Sequence, residues 1–183
     1  MKRKVLATAF SLAVTATGVA GIDTVYAAER DKQFFRSIEG TWTGAGEIVA
    51  GKYKGTKFNC TFAGLMPTKN LGMTLDGNCR VGVFTQKMTA TVAQNAAVGY
   101  KGQFMDGAAG TGLDITAGNV VNDRKVVFAI LRNDLRGVMQ ARLPNDDTMN
   151  VTISVRVEES MIPVIGMSLK RVDDTAVGAI ARQ

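Results

Sequence analysis

From Met149 to Val157 the chain alternates without a break. Met149, Val151, Ile153, Val155 and Val157 fall on one side, and Asn150, Thr152, Ser154 and Arg156 on the other. Period-two alternation of this length is a strand with one face on a core and the other in water. Leu135–Leu143 repeats it, with Leu135, Met139, Ala141 and Leu143 opposed by Arg136, Gln140 and Arg142. Phe84, Met88, Ala90 and Val92 likewise oppose Thr85, Lys87, Thr89 and Thr91.

Turn residues punctuate these runs. Asn133-Asp134 reads as a tight hairpin, and Pro144-Asn145-Asp146-Asp147 as the next reversal. Met66–Asn70, Gly107–Gly110 and Gly118-Asn119 supply further turns. The intervals give about ten strands, near 40–50, 53–65, 71–80, 82–93, 99–105, 111–117, 120–131, 135–143, 149–158 and 164–172. Before them, residues 28–39 read as a short helix, with Phe34, Phe35 and Ile38 making one apolar patch. No helical period separates the strands, so an antiparallel meander follows. A meander of this size has two exposed edges unless it closes. The expectation is an all-β fold: a roughly ten-stranded antiparallel up-and-down barrel over 40–172, with a short N-terminal helix and one disulfide. Residues 173–183 form a small-residue-rich tail. An outer-membrane barrel, the competing closed form, is disfavoured, because the outward faces carry Lys, Arg, Glu and Thr rather than an apolar band with aromatic girdles.

Residues 1–27 read as a cleavable signal peptide. Lys2, Arg3 and Lys4 precede an apolar stretch to Ala20, and Val25-Tyr26-Ala27 places small residues at the −3 and −1 positions. The stretch is too short and too rich in threonine for a membrane anchor. A periplasmic or secreted chain beginning at Ala28, with no membrane span, is expected. Export allows Cys60 and Cys79 to pair. Cys60 shares a face with Phe58 and Phe62, Cys79 with Met73 and Leu75, and the reversal lies midway between them. A disulfide between strands two and three is expected; two unpaired buried thiols are the alternative.

The chain has no histidine, which removes the Ser-His-Asp triad, the Cys-His dyad and His-ligated metals together. Two cysteines are too few for a zinc ribbon or iron–sulfur cluster. The acidic pairs Asp146-Asp147, Glu158-Glu159 and Asp173-Asp174 are adjacent in sequence, so on a strand they diverge. Gly107–Gly112 is glycine-rich but lacks the Lys-Ser/Thr and following helix of a phosphate loop. No catalytic residue, metal site or cofactor is expected. Without residues 1–27, which carry Lys2, Arg3, Lys4 and Asp23, the formal charge falls from +6 to +4, carried by scattered and mostly single cations, which is not a nucleic-acid footprint.

The run Gly40-Thr41-Trp42-Thr43-Gly44-Ala45-Gly46, after a short helix and before a barrel, resembles the calycin signature of lipocalins and fatty-acid-binding proteins. Its G-x-W-x-G-x-G form is closer to nitrobindin-like barrels. The resemblance implies that Trp42 packs across the closed end, with Gly44 and Gly46 thinning the wall, and that the interior holds a ligand. Nitrobindin-like barrels hold haem through a histidine, which this chain lacks, so no haem is carried over.

Two readings of function follow. In the first, the interior binds a small apolar or amphipathic ligand, lined by Phe58, Phe62, Met73, Phe84, Met88, Phe104, Phe128 and Met139, the large or flexible residues of the inward faces. In the second, the barrel is filled, and a basic surface with Lys52, Lys54 and Lys57 meets an anionic envelope component. Alternation alone serves both.

Overall fold

The computed structural model describes residues 22–105 and 112–172. Helix α1 (Ile22–Ser37) precedes ten strands. These are β1 (Gly40–Ile48), β2 (Lys57–Leu65), β3 (Gly72–Val81), β4 (Phe84–Asn95) and β5 (Gly99–Met105), then β6 (Leu113–Asn122), β7 (Lys125–Arg132), β8 (Leu135–Asn145), β9 (Thr148–Val157) and β10 (Ser160–Val172). Each strand pairs antiparallel with its sequence neighbours, and β1 pairs with β10, closing the barrel. The expected all-β barrel, its strand number and its short helix are all present. The signal residues up to 21, most of the Gly107–Gly112 loop and the 173–183 tail lie outside the described residues.

Connections alternate between two ends. The β2–β3, β4–β5, β6–β7 and β8–β9 turns share one end with α1, which lies against β3 and β6. This end is plugged and dry: Phe34, Phe35, Ile38 and Trp42 are each at most 4% exposed. The β1–β2, β3–β4, β7–β8 and β9–β10 connections surround the opposite end, which is the mouth.

Several boundaries differ from expectation: α1 begins at Ile22 rather than 28 and ends at Ser37, and β10 begins at Ser160 rather than 164. Gly118-Asn119 is not a turn. It lies inside β6, and the chain reverses at Asp123-Arg124, where the Asn122 side chain accepts from the Arg124 N–H at 3.0 Å. Gly118 is glycine for space: a Cβ there would strike the Phe128 ring and Tyr100. Tyr53 is not in β2. Residues 50–56 form a loop, in which Gly51 and Gly55 take φ of +83° and +88°. Lys52 and Lys54 therefore stand on that loop, and only Lys57 opens β2. At Asn133-Asp134 the expected tight hairpin is present, with Asn133 at φ +53°.

Candidate functional site

Plug and mouth make the barrel's interior unequal along its axis. At the plug, the single tryptophan is 1% exposed, and its indole N–H donates to the Ile38 carbonyl at 3.0 Å. The Arg171 guanidinium lies 4.3 Å from the ring centroid and donates to the Ser37 and Glu39 carbonyls beyond the end of α1. It thus satisfies carbonyls that a helix leaves unpaired and complements its negative end. Met66 N–H donates to the Glu39 carboxylate at 2.9 Å, tying the β2–β3 turn to the same segment.

A second tie lies deeper. The Tyr100 hydroxyl donates to Asp31 Oδ2 at 2.7 Å, and Arg30 pairs with Oδ1 at 2.8 Å. Phe35 packs on the Tyr100 ring at 5.1 Å. Burial, then the hydrogen bond to Asp31 and its charge, push the Tyr100 hydroxyl far above its ordinary range, against the opposing pull of Arg30. Tyr100→Phe strands a carboxylate oxygen and lowers stability by about 2 kcal/mol. Above about pH 10 the unfolded chain releases this proton while the folded chain keeps it. Wild-type stability therefore falls as pH rises past that point, by about 1.4 kcal/mol per pH unit from this group. Thermal melts of wild type against Y100F between neutral and strongly alkaline pH check both effects.

Toward the mouth the interior is wet. Met88, Phe104, Met139, Val151, Ile153 and Met167 point inward, yet each is only half-buried; Met73 and Leu75 are half-buried too, but at the plug end of β3, where Met73 lies beside Ile38. An inward side chain on a closed barrel meets water through the interior. Solvent therefore reaches between the β4–β5 wall and the β8–β10 wall. Ile115 and Ile130 on β6–β7 stay dry, as does the Cys60–Cys79 bridge between β2 and β3. Eight strands enclose a space that side chains can fill or that holds one small ligand. Ten enclose more.

The eight expected lining residues separate by depth. Phe58, Met73, Met88, Phe104 and Met139 border the wet region or pack against its base. Phe62 and Phe128 are 4% and 6% exposed and belong to the dry core. Phe84, expected inside, is 78% exposed. It keeps the inward parity of β4 but follows immediately on the Gly82-Val83 turn, beyond the height at which opposing walls enclose it. Leu135 likewise keeps its expected parity but is 50% exposed, for the same reason. Gly46 thins the wall as expected, but the Phe58 ring occupies that room, while Gly44 lets β1 approach the Ser168 carbonyl. Cys60 and Cys79 face each other in register and are bridged.

No protein-family model matches the chain, and no curated protein matches its sequence. Its chemistry must therefore be read from its own side chains. Among the described residues, no three His, Cys, Asp or Glu side chains converge as a metal site would require. Glu158-Glu159 and Asp146-Asp147 are exposed in turns at opposite ends. Arg171 and the Tyr100–Asp31 pair were not singled out from sequence. Arg171 carried a usable signal: it follows Met167 and Leu169 on the apolar parity of the last strand.

Proposed function

We propose that this protein is an exported, non-catalytic binding module, a calycin-like barrel that holds a small apolar or amphipathic ligand between plug and mouth. One observation carries the reading: inward Met88, Phe104, Met139 and Met167 stay water-accessible on two walls of the barrel, while Trp42, Phe62 and Met149 near the plug are dry. A filled barrel, acting only through its surface, would bury those side chains along its whole length. Methionine suits such a wall because its unbranched, polarizable side chain adapts to the shape of a guest. The G-x-W run at Gly40–Gly46 supports the calycin-like assignment, since Trp42 caps the end opposite the opening. Export is supported by the 1–27 leader and by a disulfide, which persists in oxidising compartments.

Native mass spectrometry of protein recovered from cells expressing the full chain tests the reading. A co-purifying mass of a few hundred daltons, released on denaturation, is expected for a ligand that fits such a pocket. Ala141→Trp places an indole in the wet region. On this reading, in which the indole fills space meant for the guest, it is expected to weaken binding of a fluorescent fatty-acid probe roughly tenfold or more with the melt little changed. A barrel that co-purifies bare and takes up neither fatty acid nor haem overturns the reading.

A further inference from the structure

We propose that the mouth docks on an anionic lipid leaflet, with its apolar rim entering the bilayer and two arginines on the adjoining outer wall meeting lipid phosphate. The proposal uses the rim and the outer face, so it stands whether or not the interior is occupied.

Apolar side chains continue past the point where the walls enclose them, with Phe84, Leu135, Val157 and Ile162 on the inner parity, Val83 in its turn and Met161 on the outer face. Val83 and Phe84 at the β3–β4 turn are 89% and 78% exposed. Leu135 at the β7–β8 turn, Val157 at the end of β9, and Met161 and Ile162 at the start of β10 are 38–53% exposed. These six come from three hairpins that circle one opening. Single exposed apolar residues are ordinary, but a group gathered at one end of the molecule marks an interaction site. A ring around a hole fits a deformable, continuous apolar phase better than a rigid protein face, which would leave the opening unfilled.

Charge selects the kind of surface. Lys52 and Lys54 stand on the β1–β2 loop and Lys57 opens β2, while Arg80 flanks the β3–β4 turn. With Arg132, Arg136 and Arg156, seven described cations stand at this end against five described acids, Glu47, Asp114, Asp134, Glu158 and Glu159. Just below the rim, on the outside of β7–β10, lies a groove of about 370 Å³. Ala129, Val138 and Met161 give it an apolar lining, and Arg136 and Arg156 flank it. An apolar floor edged by two guanidinium groups matches a lipid with an anionic head, because guanidinium pairs with phosphate oxygens bidentately. Polybasic segments gain about fivefold in affinity for an anionic leaflet per cation at its surface.

Both native cysteines are bridged, so an introduced cysteine is labelled alone. Val83→Cys places an environment-sensitive dye on the rim, and Asp123→Cys places one in the exposed β6–β7 turn at the plug end. Protein from cells expressing the full chain is mixed with phosphatidylcholine vesicles, with and without about 30% phosphatidylglycerol. The rim dye is expected to shift to the blue on anionic vesicles, and the plug-end dye to stay unchanged. V83S/F84S should weaken vesicle binding about tenfold. R136Q/R156Q should remove most of the preference for anionic vesicles, by about 25-fold. Fluorescent fatty-acid binding in vesicle-free solution should stay intact in both variants, so failure of docking and failure of ligand binding are read separately. A shift at the plug-end dye alone, equal binding to neutral vesicles, or a soluble dimer dispersed by F84S overturns the proposal.

Discussion

Trp42→Ala is expected to lower the unfolding free energy by about 4 kcal/mol. That is a large share of the roughly 5–15 kcal/mol that a domain possesses. The indole is 1% exposed and sits where α1, β1 and β10 meet, so its removal leaves a cavity that the closed end cannot collapse to fill. It also takes away the ring beneath Arg171 and the N–H donor to Ile38. Trp42→Phe separates these contributions: a ring remains under the guanidinium while the donor is lost, and about 1–2 kcal/mol should go. Urea unfolding of the three proteins checks the order. A Trp42→Ala loss below about 1 kcal/mol would mean that the plug is held by α1 alone.

Opening the Cys60–Cys79 bridge is expected to lower stability by about 3 kcal/mol, the chain-entropy value for a loop of this length. The sequence separation is 19, and both residues are nearly fully buried. The cross-link joins directly opposed positions, so the native register does not need it, and the reduced protein should keep its far-ultraviolet spectrum while its urea midpoint falls. Cys60→Ala/Cys79→Ala should match the reduced protein closely. Because the sulfurs are shielded, mild reductant should act slowly on the folded protein and quickly once it unfolds.

Much of the barrel was legible because strand parity depends only on local sequence. Met149–Val157 and the Asn133-Asp134 hairpin could be read directly, and the facing cysteines followed from parity on both sides of one reversal. Height along the axis was not legible. Phe84 and Leu135 have the correct parity and still stand in water, because parity names a face and says nothing of where the opposing wall ends. Gly118 misled for a related reason: turn glycine and close-packing glycine are the same letter, and only Phe128 from the next strand distinguishes them. The Tyr100–Asp31 bond spans 69 residues and has no local signature. The wet region is a property of what the walls leave unfilled, which no single strand encodes.

The seam between β1 and β10 differs from every other strand pair in when it can form. The other nine pairs join neighbours in sequence, so each becomes possible soon after its second strand is made. Thr41 pairs with Val172, and Arg171 reaches back across 132 residues to the Glu39 carbonyl. All ten strands must therefore be available before the cylinder can shut. Until then the growing meander has two unpaired borders and an uncovered oily concave side. That interval, rather than the finished protein, is when a holding chaperone would matter most.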